Sequence, residues 1–209
     1  MPPKFVSPCI PTTAKAIPQG DAWLHEPKLD GYRFQIVKDG RQVRLYSRNG
    51  HEWTKRLAGL AEALQFIPRR AVVLDAELCF PGADGGPGFG GLRTAFGAGR
   101  DGELTAFAFD LLHWDGTDLT QLPLRRRRRL LERLLAHAKI PGLLLVPTFD
   151  DGVKLLATAE RHGLEGVVSK RQASAYRSGL SRDWVKTKTA AWREANRERW
   201  RLFERSVRK

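Results

Sequence analysis

Glu26-Pro27-Lys28-Leu29-Asp30-Gly31-Tyr32-Arg33, followed at once by the run Phe34 to Val37, is the stretch from which the fold is read. Phe34 to Val37 and Val43 to Tyr46 alternate apolar and polar residues, and Lys38-Asp39-Gly40-Arg41-Gln42 separates them. An Asp-Gly between two such runs predicts a β-hairpin. The first well-marked strands therefore pair antiparallel rather than opening a βαβ unit. Just upstream, Trp23-Leu24-His25-Glu26 predicts a short strand ending at Pro27. Lys28 then falls in a turn beside Asp30 and Gly31. A lysine in such a turn is ordinarily a solvated charge. It becomes a candidate covalent nucleophile only if the rest of the chain supplies what a reactive amine needs.

Working outward, residues 1–22 are rich in Pro, Thr and Ala and read as an extended arm rather than a regular element. Leu57 to Phe66 has helical spacing and is closed by Pro68. Ala71 to Phe80 and Thr105 to Leu112 read as strands, and residues 81–102 between them hold nine glycines. Leu124 to Ala138 predicts a helix with Leu130, Leu131, Leu134 and Leu135 inward. Leu143 to Val146 is strand-like, and Gly152 to His162 is helical with Gly163 as its C-cap. Gly166 to Ser169 and Trp184 to Thr187 read as strands, and Ala190 onward as one basic amphipathic helix. The fold class is α+β with largely antiparallel sheets flanked by helices. The division expected is an arm at 1–22, one domain at 23–189 and a basic helix at 190–209.

The chain has 209 residues and 42% hydrophobic content, enough for a real core. Its formal net charge is +13, from 36 Lys and Arg against 23 Asp and Glu. That excess points to a polyanionic partner, nucleic acid before a membrane surface. Cys9 and Cys79 lie far apart without metal-ligand spacing, which argues against a disulfide framework or a zinc site. No apolar run approaches a membrane span, and Met1-Pro2-Pro3-Lys4-Phe5 is not the start of a signal peptide. A reducing, cytoplasmic setting is expected.

One glycine pattern misleads. Gly86-Pro87-Gly88-Phe89-Gly90-Gly91 fits the dinucleotide fingerprint, but Pro81 to Gly85 separate it from the preceding strand and Pro87 removes an amide donor. A surface loop is the better reading. The informative set spans the chain. It runs from Lys28-Leu29-Asp30-Gly31-Tyr32-Arg33 through Ser47-Arg48-Asn49-Gly50 and Asp75-Ala76-Glu77-Leu78 to Phe107-Ala108-Phe109-Asp110-Leu111-Leu112. Leu164-Glu165-Gly166-Val167-Val168-Ser169-Lys170-Arg171 and Trp184-Val185-Lys186-Thr187-Lys188 complete it. In this order the set resembles motifs I to V of the covalent nucleotidyltransferases: ATP-dependent DNA ligases, RNA ligases and mRNA capping enzymes. The connecting text (Trp53-Thr54, Asp115-Gly116, Leu122-Pro123-Leu124, Tyr176-Arg177-Ser178-Gly179) is similar to the ligase domain of bacterial non-homologous end-joining DNA ligases.

That resemblance implies a nucleotidyltransferase domain with its ATP site in the cleft between sheets. It implies attack by Lys28 on the α-phosphate of ATP, giving a Lys28–AMP phosphoramidate and pyrophosphate. The amine must be unprotonated, and an ordinary lysine near pKa 10.4 is not. Arg33, Lys186, Lys188 and a divalent metal are the cations that would favour the free amine. Lys186 and Lys188, two apart, project from one face of a strand and could meet one phosphate. The resemblance assigns metal binding to Glu165, and Glu77 to the ribose or metal neighbourhood. The metal would be Mg2+, with Mn2+ as a substitute. It places Phe109 against adenine and makes Phe107 structural, a choice that periodicity leaves open because both lie on one face. Glu26 would read the adenine amino group by side chain or backbone. Arg33 and Arg48 would contact ribose, phosphate or a DNA 5′-phosphate, and Asp30 would orient the lysine or assist the metal.

The implied partner is nicked or broken double-stranded DNA at the bacterial nucleoid, with no membrane. Arg125 to Arg129 open a helix and, at about 100° per residue, point all round it. Some are expected on DNA phosphates and the rest in solvent. The tail from Arg193 to Lys209, interleaved with Trp200 and Phe203 and preceded by Trp192, is expected to dock by its aromatics. The resemblance stops near Lys188, and roughly twenty further residues cannot build a five-stranded OB-fold. A lone catalytic core is therefore expected, with either the short tail partly substituting for the missing domain or a protein partner supplying the OB-fold or end-binding function. The competing functions are an RNA ligase or other adenylyltransferase, and a non-catalytic nick-binding module.

Overall fold

The computed structural model describes residues 2–81, 87–88, 104–136 and 138–197. Most of the glycine-rich segment, including the rest of the dinucleotide-like pattern, lies outside these residues, as does the tail beyond 197. In chain order the elements are β1 (Cys9–Thr13), β2 (Trp23–Lys28), β3 (Tyr32–Asp39), β4 (Gln42–Ser47), a 3-10 turn (Thr54–Leu57), α1 (Ala58–Leu64) and β5 (Ala71–Pro81). Then come β6 (Pro87–Gly88), β7 (Thr105–Trp114), β8 (Thr117–Asp118), α2 (Leu124–Leu135), β9 (Leu143–Leu145), α3 (Gly152–Arg161), β10 (Gly166–Arg171) and β11 (Gly179–Lys188). A last helix, α4, covers residues 190–197.

The strands form two sheets. One has the order β1-β11-β10-β2, and the other β4-β3-β5-β7-β8 with β6 and β9 attached. All pairings are antiparallel except β1 with β11 and β7 with β9. The α+β expectation holds, and the Asp39-Gly40 hairpin forms as read, with Asp39 opposite Gln42.

Two layers of core follow from strand alternation. Phe34, Ile36, Leu74, Ala76, Leu78, Ala106 and Ala108 point to the outer face of the larger sheet, where Leu60 and Leu64 of α1 and Leu131 and Leu134 of α2 cover them. Phe107, Phe109, Val73 and Cys79 point inward and meet Trp184 and Cys9 of the smaller sheet. Both cysteines are free and buried. The outer face of the smaller sheet is covered by α3, with Leu155 against Val167.

Three readings are corrected. The arm is not irregular throughout: Cys9–Thr13 is an edge strand, and its parallel partner β11 begins 170 residues later in the chain (Cys9 opposite Gly179). Such pairing leaves no local signal. β2 does not stop at Pro27 but runs through it to Lys28. His25 exchanges both backbone bonds with Phe149 on the outer edge of β2, so Pro27, two residues on, turns its missing N–H to that same edge. The third correction concerns the arginine run. Arg125, Arg126 and Arg129 are exposed, but Arg127 and Arg128 are buried. Arg127 makes a two-pronged pair with Asp110, Nε–Oδ1 2.9 Å and Nη2–Oδ2 2.9 Å, and neither side chain has any exposed surface.

Removing one partner of a buried pair strands the other charge in the core. Arg127→Met is therefore expected to lose about 3–5 kcal/mol of stability in urea unfolding, whereas Arg125→Met changes it by less than about 0.5 kcal/mol.

Candidate active site

The register of the smaller sheet assembles the site. Gly166 lies opposite Lys28 on one side and Lys188 on the other, so the three residues stand abreast. One step along, Val168 lies between Glu26 and Lys186. Alternation then turns Glu26, Lys28, Val168, Lys170, Trp184 and Lys186 to one face, and all six line a cavity of about 610 Å³ between the sheets. From the larger sheet Arg33, Glu77 and Phe109 close it, with Arg48 on an exposed rim.

Gly31 and Gly166 are required by close approach. A Cβ on Gly31 would overlap the Leu78 carbonyl oxygen. One on Gly166 would overlap the Thr187 carbonyl, and its φ of 154° is a conformation L-residues rarely adopt. The Gly31 N–H donates to Glu77 Oε1 at 3.1 Å, which anchors that carboxyl beside the Lys28 turn.

Glu165 joins the two lysines. Its Oε2 lies 2.6 Å from Lys28 Nζ and its Oε1 lies 3.1 Å from Lys188 Nζ. Its side chain is nearly buried, while each lysine keeps about a quarter of its surface. Lys186 is pushed below the ordinary lysine range, first by burial and then by the charges of Lys28 and Lys188. Burial likewise raises Glu77, to about 7, against the opposing pull of Lys28 and Arg33.

A second charge cluster forms the cavity floor. Glu26 is buried and its carboxylate is committed to Lys170 at 2.6 Å and Arg128 at 3.2 Å. The Lys170 ammonium lies 4.3 Å from the Phe109 ring centre and 4.2 Å from that of Trp184. Burial lowers the Lys170 pKa, with Glu26 opposing. Arg33 is bound at both prongs to Asp75, at 3.0 and 2.7 Å, and donates to the Cys9 carbonyl at 2.6 Å. Burial opposes its charge, but Asp75 outweighs that and holds the guanidinium firmly charged. Tyr176 donates to Asp75 Oδ2 at 2.6 Å.

Of the residues singled out in the sequence, Glu26, Lys28, Arg33, Arg48, Glu77, Phe109 and Lys186 line the cavity. Glu165 and Lys188 lie outside the lining and are joined to Lys28 through the ion pairs of Glu165. Asp30 is exposed and is not part of the lining. Phe107 is core and outside the lining. The two phenylalanines differ because a register shift in β5–β7 leaves Phe109 without a partner, while Phe107 sits opposite Glu77. The sequence reading missed Lys170, Trp184, Asp75 and Tyr176. Lys170 could have been found by extending the alternation Gly166, Val168 by one more step.

Among the described residues no cluster of three or more His, Cys, Asp or Glu could hold a metal. Mg2+ needs only one or two carboxylates and keeps several waters, a requirement that Glu165 or Glu77 could meet singly. The Lys28 ammonium against Glu165 shows that this carboxylate accepts a cation at close range.

The family model described as ATP dependent DNA ligase domain matches residues 5–188. The chain belongs to that family. It is 40% identical over 187 residues to the multifunctional non-homologous end joining protein LigD of Pseudomonas aeruginosa, covering 89% of this chain and 22% of that protein. To the LigD protein of Mycobacterium tuberculosis it is 35% identical over 183 residues, covering 87% and 24%. A solved mycobacterial DNA ligase D complexed with ATP and MES superposes with a TM-score of 0.76 at 33% identity, over 87% of this chain and 60% of that one. A Chlorella virus DNA ligase-adenylate, at 20% identity and TM-score 0.62, shares the fold. The chain spans about a quarter of the length of these LigD relatives.

Glu77 gives this ligase-family domain a pH signature. Its carboxyl is raised from 4.5 to about 7, so the native state binds more protons than the unfolded chain between those values, and stability falls as pH rises through them. Wild type is expected to lose up to about 3 kcal/mol relative to Glu77→Gln between pH 4.5 and 7 in urea unfolding of the metal-free protein.

Proposed function

We propose that this domain is an adenylyltransferase that carries AMP on Lys28 and serves the joining of DNA ends. The observation that carries the reading is the row Lys28–Gly166–Lys188 with Glu165 bridging both amines, set beside a cavity of nucleotide size. A base would lie against the Phe109 ring. Lys28 Nζ would attack the α-phosphorus, and the P–O bond to pyrophosphate would break. The proton leaves Nζ, whose hydrogen-bond partner is Glu165 Oε2 at 2.6 Å. Lys186, with Lys188 beyond the lining, would offset the charge that grows on the phosphate oxygens. Glu165 and Glu77 would hold Mg2+, which would add positive charge at the same oxygens. Arg48 on the rim would meet a phosphate of the nucleotide or of a DNA 5′ end.

In the second half, AMP would pass to a DNA 5′-phosphate and the 3′-OH would displace it. The +13 charge favours such a polyanion, in the cytoplasm and at the nucleoid. A partner protein with an end-binding function belongs to the same proposal. Arg125, Arg126, Arg129 and Arg133, the exposed arginines of α2, are suited to phosphate contact, and Arg127 and Arg128 are not, because their donors face inward.

The deciding measurement is covalent labelling. With α-32P-ATP and Mg2+, label is expected on the denatured chain of wild type and absent from Lys28→Ala. Phe109→Leu is expected to raise the ATP concentration for half-maximal labelling by about 5- to 30-fold, for the loss of about 1–2 kcal/mol of stacking. No label on wild type, or equal label on Lys28→Ala, would overturn the reading. A pre-adenylated nick tests the joining step by itself, and nicked DNA against nicked RNA separates the substrates.

A further inference from the structure

The end of β11 makes a contact outside the cavity. Lys188 Nζ lies 3.4 Å from the centre of the Trp192 ring, besides its 3.1 Å pair with Glu165. The ammonium is thus held between a carboxylate and an aromatic face.

Trp192 is placed there by a built corner. The Thr189 N–H donates to the Glu165 carbonyl at 3.0 Å, and its hydroxyl donates to the Leu164 carbonyl at 2.9 Å. The same hydroxyl oxygen accepts from the Trp192 N–H at 3.3 Å, which is the N-cap to N3 bond of a helix start. Glu160, near the end of α3, accepts from the N–H groups of Ala190 and Ala191 at 2.7 and 2.8 Å. Its charge also suits the positive end of α4. The first turn of α4 is therefore tied both to α3 and to the backbone of Glu165 itself.

The chemistry of the two partners differs. A lysine head on a four-carbon stem is strongly hydrated and free to wander unless something holds it. A carboxylate holds it but cancels its charge. An indole face attracts it through the ring quadrupole and carries no net charge. Trp192 thus holds Lys188 without adding a second negative charge to the one that Glu165 already brings.

We propose that Trp192 is a positioning residue, whose indole face holds the Lys188 ammonium beside Glu165, ready for the α-phosphate. The role rests on the adenylyltransferase reading above.

The test uses the full chain. Trp192→Leu is expected to slow Lys28 labelling at saturating ATP by about 3- to 30-fold, the range a cation–π contact supports. Half-saturation by ATP should shift by less than about twofold, since an interaction used only in the transition state leaves ground-state binding alone. Trp192→Phe, which keeps a ring, restores most of the rate. In a Lys188→Gln background, Trp192→Leu should add nothing, because the two act as one unit. A readout without ATP is the 13C NMR spectrum of lysine-labelled protein. The Lys188 ε-methylene, identified by its loss in Lys188→Gln, should be shifted upfield by the ring in wild type and return to the position of solvated lysines in Trp192→Leu. The proposal is overturned if Trp192→Leu labels as fast as wild type, if Phe is as slow as Leu, if the slowing persists without Lys188, or if no upfield signal exists. A wild type that takes no label overturns the adenylyltransferase reading and the positioning role together. Wild-type labelling with an unaffected Trp192→Leu removes only the positioning role.

Discussion

The site depends on one close approach of backbones. Gly166 sits between Lys28 and Lys188, and a Cβ there would overlap the Thr187 carbonyl and lie 2.8 Å from the Lys188 Cα. Without a side chain at this position, β2 and β11 flank β10 closely enough for one carboxylate to reach both amines. That carboxylate is on Glu165, the residue just before the strand. The adjacency of Glu165 and Gly166 is thus a geometric unit: the glycine brings the strands together and the glutamate uses the space.

Around this unit lie several buried charges. Arg33 with Asp75, Arg127 with Asp110, and Lys170 and Arg128 with Glu26 are all largely or fully buried. Such pairs offset their desolvation only with good geometry, and they are weak sources of stability. Their value here is orientation. Arg33 ties the larger sheet (Asp75) to the smaller (the Cys9 carbonyl) across the cleft. Arg128 ties α2 to Glu26 on β2 and to the Val146 carbonyl. The two walls of the cavity are therefore joined by directional bonds rather than by apolar contact alone. That keeps a polar cleft open in a position where apolar faces would close it.

Much of this was legible in the residues. The Asp39-Gly40 hairpin, the long strands β5 and β7, and the helices α2 and α3 follow from local periodicity and turn chemistry. The two lysines of β11 share a face because strand alternation has no other outcome. Where the reading failed, a partner distant in the chain decided. β1 exists because β11 offers an edge. Pro27 stays in a strand because its missing donor faces outward. Arg127 is core because Asp110 lies beneath it, although in sequence it is one of five like neighbours.

The sequence by itself determined the alternation of faces, the Asp39-Gly40 turn and the family, since each is carried by residues near one another or by ordered motifs. The tertiary structure decided which charges meet. It paired Glu165 with Lys28 and Lys188, withdrew Glu26 and Arg33 into buried pairs, and left Asp30 in solvent. It also set Trp192 against Lys188. The physical reason is that an ion pair or a cation–π contact has a range of a few ångströms. Sheet register brings Lys28 and Glu165, 137 positions apart, within that range, and the docking of α4 does the same for Trp192 and Lys188.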